Sequence, residues 1–468
     1  MEITPKIAAI ILVLGGSLYG QVPPSAYRPY HSAQEQEFRS SVRSPHGPEI
    51  RIEADHAYTL AELIDLAERN NPETRVAWER SRAQAAALGI ARSELLPTVS
   101  ATALSSIERH QSGFGTRFYR QTSPLSEIAL DLNYTVFDFG ARKGRIQAEG
   151  ARLLAANFDF NDVHRRIIFD VSQAYYRLLN AEGQQEAAAA NLINAENVER
   201  AAEERLRNGL ATLPDVLEAR SATAQAQYDL QAVLGSKAIA AGDLATTLGV
   251  SAQTAIHLQP LTDLAVPDVV ADTVEDAIDR ALQQRPELQA KVAAIRVGTA
   301  ERQQAQAAFH PVLAVNLQPR GQALHLLQQD LPWAYTADAT GSAAVTVTWT
   351  VFDGGARRNR LAGAESRIRQ AEAELAAGRD QVENQVWAAY SNVRTSLRQR
   401  EAALALLNAA TQSYSAALES YNLGVRNLLD VTNAQRVLAQ ARSTEIAART
   451  QVLTTLADLA FRTGDAIK

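Results

Sequence analysis

Two helix–helix turns of related sequence carry the side chains best suited to chemistry. The first turn contains Leu206, Gly209, Ala211, Asp215 and Glu218, and the second has Tyr421, Gly424, Arg426, Asp430 and Asn433 at the matching positions. The glycine and the aspartate recur, whereas the tyrosine and the arginine occur only in the second turn. A turn that only reverses the chain has no need for this difference, and carboxylates and guanidinium groups form charge-assisted hydrogen bonds. The turns are therefore the candidate functional site, with ordinary surface residues as the alternative interpretation.

No catalytic or cofactor motif accompanies these turns. The sequence contains no Walker loop, no His-Glu-x-x-His, no Gly-x-Ser-x-Gly and no Gly-x-Gly-x-x-Gly. It has no cysteine, which excludes disulfides, thiolate metal sites and cysteine nucleophiles, and its eight histidines do not cluster. The formal net charge of -6 gives no global reason to bind nucleic acid. We therefore expect no enzyme activity, no cofactor, no metal and no nucleic-acid partner.

The two turns belong to an internal duplication. Residues 59–99 align without a gap on residues 273–313, and residues 134–249 align in the same way on residues 349–464. The offset of roughly 200 residues describes two copies of a large unit rather than a solenoid array. Each copy reads as helix, strand, strand, long helix, turn and helix.

The segment that follows the first helices of each copy alternates apolar with small or polar residues. One face carries Ile128, Leu130, Leu132, Tyr134 and Val136 in the first copy, and Val345, Val347, Trp349 and Val351 in the second. This alternation is typical of a transmembrane barrel strand and equally of a soluble sandwich strand with one face in a core. The four strands predicted per chain are too few to close a barrel, so a barrel would require several chains.

The junction between the second strand and the long helix has the same residues in both copies. Asp138 and Asp353 can cap the following helix, and Gly140 and Gly355 ease the bend from strand to helix. Basic residues follow in both copies. They either meet phospholipid headgroups or form a solvated helix start.

Beyond each junction the hydrophobic period changes. A spacing of four and three residues connects Ile167, Val171, Ala174, Leu178 and Ala181, and in the second copy Val382, Val386, Ala389, Val393 and Ser396. Such spacing predicts a coiled-coil seam, here rich in small residues. A helix over residues 141–208 would be roughly 100 Å long at 1.5 Å per residue. A rod or tube is therefore expected.

The chain divides into five segments. Residues 1–20 have the basic, apolar and small-residue order of a secretory signal peptide. Residues 21–58 lack a hydrophobic period and are interpreted as an extended arm or linker. The first repeat spans residues 59–249, an inter-repeat linker spans 250–272, and the second repeat spans 273–468.

Four segments of the chain together resemble the TolC family of outer-membrane efflux proteins: Tyr134–Arg142, Trp349–Arg357, Gly209–Ala219 and Gly424–Ala434. The resemblance implies a mixed α/β membrane protein that forms a homotrimer. Each chain would give four strands to a shared 12-stranded outer-membrane β-barrel, continued by a long α-helical coiled-coil tunnel in the periplasm. Residues 250–272 would join a mixed equatorial region.

The resemblance also implies a function and partners. The chain would be the exit duct of a tripartite efflux or type I secretion system in the outer membrane of a Gram-negative-type bacterium. Its partners would be a periplasmic adaptor protein, an inner-membrane transporter of the RND, ABC or MFS class, and outer-membrane lipid.

At the turns, the resemblance implies a gate at the periplasmic end of the tunnel. Tyr421 and Arg426 would bond to Asp215 and hold the tunnel end closed, while three copies of Asp430 would converge on the trimer axis. The family prototype has a second aspartate where this chain has Asn433. The ring would therefore be less acidic, with Glu218 partly compensating.

Two other classes of function remain open from the residues. One is a secreted or periplasmic coiled-coil structural protein with a small β-domain, which would stay soluble where a barrel partitions with the outer membrane. The other is an enzyme or solute-binding module, which needs converging titratable groups that the sequence does not offer.

Overall fold

The structure of the chain is a computed structural model that describes residues 52, 56–261, 264–267, 269, 273–329 and 332–465. These residues belong to one compact unit, Ile52–Lys468. The signal peptide predicted at residues 1–20 and nearly all of the arm predicted at 21–58 lie outside the described residues, as does part of the linker predicted at 250–272.

The elements of the described chain occur in two successive sets of the same order. The first set is β1 (Ala57–Tyr58), α1 (Leu60–Asn70), α2 (Pro72–Ser93), β2 (Thr98–Phe114), β3 (Arg117–Phe137), α3 (Ala141–Arg207) and α4 (Leu213–Thr247). The second set is β4 (His257–Leu258), α5 (Val274–Gln284), α6 (Pro286–Ala307), β5 (Val312–Gln328), β6 (Ala334–Thr348), α7 (Ala356–Asn422) and α8 (Leu428–Thr463). The predicted sequence of helix, strand, strand, long helix, turn and helix is therefore found twice.

The starts of the short helices follow from local sequence. The amide of Thr59, the N-cap of α1, donates to the Glu62 carboxylate at 2.8 Å, and the Glu62 amide donates to the Thr59 hydroxyl, which completes a capping box. The Thr273 side chain caps α5 in a similar way. Helices α2 and α6 begin at Pro72 and Pro286, because proline lacks only an amide that the first helical position leaves unbonded.

The long strands form one antiparallel sheet. Its order is β2-β3-β5-β6, so the two hairpins lie side by side and β3 pairs with β5 across the two sets. Within the described chain, β2 and β6 each pair along one edge only. Large apolar side chains on the sheet are exposed, among them Ile107, Ile128, Val345 and Val347. A single chain therefore leaves both sheet edges and an apolar surface uncovered.

The two longest helices, α3 and α7, contain 67 residues each and start directly after the sheet. At 1.5 Å per residue each is roughly 100 Å long. All ten predicted seam residues are buried, from Ile167 to Ala181 on α3 and from Val382 to Ser396 on α7. The predicted coiled-coil seam is thus confirmed. None of the described helices is both long and apolar enough to cross a membrane.

A small parallel ladder lies beside the largest apolar cluster. Ala57 and Tyr58 pair with His257 and Leu258, so the last two residues of the predicted arm form strand β1 instead of extended coil. Leu258 belongs to the buried cluster that also contains Leu63 of α1. Burial of apolar side chains beside this ladder explains why these residues become ordered strand.

Candidate functional site

A largely buried ion pair fixes the first junction between strand and long helix. One carboxylate oxygen of Asp138 accepts from the amide and the Nε of Arg142, both at 2.9 Å, and the other accepts from the Gly140 amide at 3.2 Å. The Arg142 guanidinium also donates to the carbonyls of Glu94 and Val136. Burial opposes the charged form, but the hydrogen bonds and charge of Arg142 outweigh it and hold the pKa of Asp138 below its usual value. The pair joins the ends of α2 and β3 to the start of α3.

The second junction repeats this arrangement. Asp353 accepts from the amide and the Nε of Arg357 at 2.9 and 3.1 Å, and from the Gly355 amide at 3.2 Å. Arg357 donates to the Val351 carbonyl, and its guanidinium carbon lies 5.4 Å from the centroid of the Phe309 ring. Burial again opposes the charge, and the bonds from Arg357 again hold the pKa of Asp353 below its usual value.

Left-handed backbone conformations turn the chain from each strand into its helix. Gly140 and Gly355 have φ of 96° and 88°, and they are the N-cap residues of α3 and α7. Glycine adopts such angles without the strain that a Cβ would cause. Asp138 and Asp353 each lie two residues before the N-cap glycine, and their carboxylates accept from an amide in the first turn of the helix. The structure therefore places all four predicted junction residues together.

Both helix–helix turns end their long helix in the same way. The amide of Gly209 donates to the Leu206 carbonyl at 3.0 Å, and the next amide donates to the Arg205 carbonyl at 2.8 Å. The second turn repeats both bonds around Gly424, at 3.0 and 2.9 Å. Gly209 and Gly424 have φ of 70° and 74°, the left-handed conformation that this Schellman motif requires. The backbone frame of the two turns is therefore shared.

Asp215 serves the first turn as part of a capping box. Its carboxylate accepts from the hydroxyl and the amide of Thr212, the N-cap of α4, at 2.7 and 2.8 Å. The bond from the hydroxyl has the larger effect and the bond from the amide the smaller, and both lower the pKa of Asp215 from its usual value. Asp215 is therefore engaged within its own turn.

Asp430, at the matching position, has a different environment. Asn427 is the N-cap of α8, and its side-chain oxygen accepts from the Asp430 amide at 3.0 Å. The Asp430 carboxylate is exposed and accepts no hydrogen bond or ion pair from any residue that the structure describes. The two recurring aspartates thus differ: Asp215 is a capping residue, and Asp430 presents an unengaged charge.

Glu218 and Asn433 lie about one helical turn beyond the aspartates and border the same cavity. The Thr432 hydroxyl donates to Glu218 at 3.3 Å, and Arg436 donates to the side-chain oxygen of Asn433 at 3.4 Å. The cavity, of about 540 Å³, lies between α3, α4 and α8. The structure therefore brings together these two predicted residues from the two successive sets of elements.

The bonds expected from Tyr421 and Arg426 to Asp215 do not form within the chain. The Tyr421 hydroxyl is buried without a hydrogen-bond partner, and the exposed Arg426 side chain contacts no polar partner in the described ranges. Arg205 lies at the contact between the two turns instead, and its Nη1 donates to the Tyr421 carbonyl at 2.7 Å. Within one chain, Asp215 is engaged by Thr212 and the end of α7 contacts Arg205, so the bonds expected from Tyr421 and Arg426 stay a prediction for the assembled duct.

Sequence reasoning missed Arg205, although a signal for it was present. The position that matches it in the second copy is Ser420. It therefore shows the same difference between copies that singled out Tyr421 and Arg426. No metal site accompanies the turns, since no three His, Asp or Glu side chains of the described ranges are placed to hold one metal ion.

Known proteins with this arrangement are outer-membrane channels. A sequence profile of the outer membrane efflux protein family matches residues 63–250 and 277–465, which together are most of the chain. The chain belongs to this family. The two matched segments coincide with the two successive sets of elements, and the family is the one that the sequence resembles.

Individual relatives support this membership. Protein CyaE of Bordetella pertussis is 29% identical over 395 residues, covering 84% of this chain and 81% of its own. The pyoverdine export outer membrane protein OpmQ of Pseudomonas putida is 26% identical over 396 residues, covering 82% and 81%. A membrane protein from Pseudomonas aeruginosa has the same fold, with a TM-score of 0.76, 24% identity and coverage of 90% of this chain and 100% of its own.

Family membership makes the chain an outer-membrane exit duct with a periplasmic extension. The alternative of a soluble coiled-coil structural protein is therefore dropped. In this context the sheet and the turns lie at opposite ends of the roughly 100 Å helices.

Proposed function

We propose that three copies of this chain form one duct, with a shared barrel in the outer membrane and a helical tunnel in the periplasm. The observation that carries this proposal is the open sheet, whose outer strands β2 and β6 each have a free edge in the described chain. A free edge in hydrocarbon leaves backbone groups without hydrogen bonds, at a cost of several kcal/mol each. Three sheets of four strands supply the 12 strands of a closed barrel, which removes every edge.

The helices support the tunnel. We propose that an internal duplication gives each protomer two antiparallel helix pairs, α3 with α4 and α7 with α8, so that three protomers line one axis with six pairs. The repeated element order and the two matched segments of the family profile support the duplication. Small residues in the seams, such as Ala174 and Ala389, allow the close approach that many thin helices need.

The duct is proposed to work with a periplasmic adaptor protein and an inner-membrane transporter of the RND, ABC or MFS class. Because the transporter supplies the energy, the duct itself needs no catalytic group, and we propose that the chain is not an enzyme. The name of OpmQ describes pyoverdine export, which supports export across the outer membrane as the role of this chain.

The narrow end of the tunnel is proposed to lie at the two turns. Asp430 is exposed on the first turn of α8 and unengaged, so three copies around an axis would form a ring of negative charge. Such a ring favours cations and attracts multivalent ones. Glu218 and Asn433 border the next level of the same end, where one carboxylate per chain adds to the charge.

Reconstitution tests the proposed assembly. The purified chain is expected to run as a trimer in SDS until heated, and to give discrete, cation-selective conductance steps in planar lipid bilayers. A chain that remains monomeric and adds no conductance would contradict the proposal.

A further inference from the structure

We propose that Arg205 is the latch that holds the two periplasmic turns together, and that the tip opens when the end of α7 leaves this guanidinium. The proposal rests on the proposed function as a duct. It assigns the closing contact to a residue of the first copy, outside the predicted gate set of Tyr421 and Arg426.

Arg205 binds the C-terminal end of α7 through three contacts. Its Nη1 donates to the Tyr421 carbonyl at 2.7 Å and lies 3.5 Å from the Asn422 carbonyl. Its guanidinium carbon lies 4.5 Å from the centroid of the Tyr421 ring, within cation–π distance. The last carbonyls of a helix lack intrahelical partners and carry partial negative charge, so this end of α7 attracts a cation.

The surroundings make this contact stronger than an exposed ion pair. Tyr421 is only 5% exposed and packs in a cluster that contains Val198 and Val216 from the first copy and Val431 from the second. The Arg205 Nε is buried as well. Electrostatic and cation–π contacts gain strength when water is excluded, whereas exposed pairs contribute little.

The backbone of Arg205 also takes part in the first helix–helix turn. Its carbonyl accepts from the Leu210 amide at 2.8 Å, which closes the Schellman motif at the end of α3. One residue therefore fixes the end of α3 through its backbone and the end of α7 through its side chain. A displacement of either turn must break contacts of Arg205. Because Ser420 stands at the matching position of the second copy, each chain has one such latch.

The two predicted gate residues differ from Arg205 in a way that experiment can resolve. Tyr421 acts through its ring and its carbonyl, because its hydroxyl has no hydrogen-bond partner among the residues that the structure describes. Arg426 is exposed, and its side chain contacts no polar group of the described chain. The hydroxyl and Arg426 are therefore expected to be dispensable for closure, whereas the ring and Arg205 are not.

Single-channel recording of the full chain in planar bilayers tests the latch. Arg205→Ala and Tyr421→Leu should each raise the conductance severalfold, because each removes a contact that closes the tip. Arg205→Lys should restore most of the closed behaviour, since lysine keeps the charge and a donor. Tyr421→Phe, Arg426→Ala and the matched control Arg207→Ala, an exposed arginine at the end of α3, should conduct like the parent.

Hydrogen exchange of the same proteins in detergent gives a second measurement. Amides of residues 414–424 should exchange faster in Arg205→Ala than in the parent, and no faster in Arg207→Ala. This measurement and Arg205→Lys keep the test available if a larger substitution lowers the yield of trimer.

The outcomes separate the latch from the duct. If the parent chain conducts and Arg205→Ala conducts identically with unchanged exchange, the latch is refuted while the duct stands. Arg426→Ala or Arg207→Ala raising conductance as much as Arg205→Ala would also refute it. If the parent itself neither forms trimers nor conducts, the proposed function fails first.

Discussion

The two strand–helix junctions are near copies of each other, whereas the two helix–helix turns share only a backbone frame. At the junctions, the carboxylates of Asp138 and Asp353 accept from the Nε of the following arginine at 2.9 and 3.1 Å. At the turns, the Asp215 carboxylate is bonded to its N-cap, whereas the Asp430 carboxylate has no hydrogen-bond or ion-pair partner within the described residues.

This contrast distinguishes residues that the local fold requires from residues that are available for function. Each junction must connect a strand to a helix, and the same residues do so in both sets of elements because the local geometry is the same. The turns solve their local problem with one Schellman motif each, at Gly209 and Gly424. What differs is the charge placed on that frame, which we propose acts on the other turn, on the tunnel axis or on a passing ion.

The largest effect on stability is expected at the first junction. Asp138→Ala would leave the buried guanidinium of Arg142 without its carboxylate, which should lower the free energy of unfolding by about 1 to 3 kcal/mol. Asp353→Ala should act in the same direction, because the contacts are repeated. Thermal unfolding in detergent measures both. If one substitution destabilises and the other has no effect, the junctions are not equivalent.

The junctions also predict a dependence on acid. The pKa of Asp138 is lowered in the folded chain from its usual value of 3.8, so its stabilisation is fully present above that value. It is lost as the pH falls through the lowered folded-state pKa. The difference in unfolding temperature between the parent and Asp138→Asn should therefore be constant near neutral pH and shrink below about pH 4. A difference that grows in acid would reverse the assigned sign.

The two turn aspartates should give separate phenotypes. Asp215→Ala removes one side of a capping box and should cost about 0.5 to 1 kcal/mol, with little change in ion selectivity. Asp430→Ala should leave the unfolding temperature unchanged while lowering cation selectivity and block by multivalent cations. Unfolding and bilayer recordings of both variants make the comparison. Equal loss of selectivity in the two variants would show that the difference in their hydrogen bonds has no functional meaning.

The smallest effect is expected when the N-cap residue of the second turn is replaced by the N-cap residue of the first. Asn427→Thr places a hydroxyl where Thr212 stands in the first copy, so Asp430 gains the partner that Asp215 has. The free energy of unfolding should rise by about 0.3 kcal/mol at most. Cation selectivity should fall slightly, since the carboxylate turns toward its own cap. Thr212→Asn is the matched control and should not alter selectivity.

Local contacts were predictable from the sequence and distant ones were not. The spacing of Ile167 and Val171 specifies a buried seam, and Thr59 with Glu62 specifies a capping box, because helical geometry fixes the neighbours of each residue. Which arginine meets the end of α7 depends on how two helix ends about 200 residues apart lie against each other. For the same reason, the pairing of Ala57 with His257 had no signal in either segment alone.

Site-specific labelling tests the central claim, that this chain spans the outer membrane with its turns at the periplasmic end. The chain contains no cysteine, so single cysteines can be introduced without background. Thr116→Cys lies in the turn between β2 and β3, and Val425→Cys replaces a side chain that is 78% exposed in the second helix turn. A membrane-impermeant maleimide should label the first in intact cells and the second only after the outer membrane is permeabilised. Labelling of Val425→Cys in intact cells, or protection of Thr116→Cys, would contradict the account.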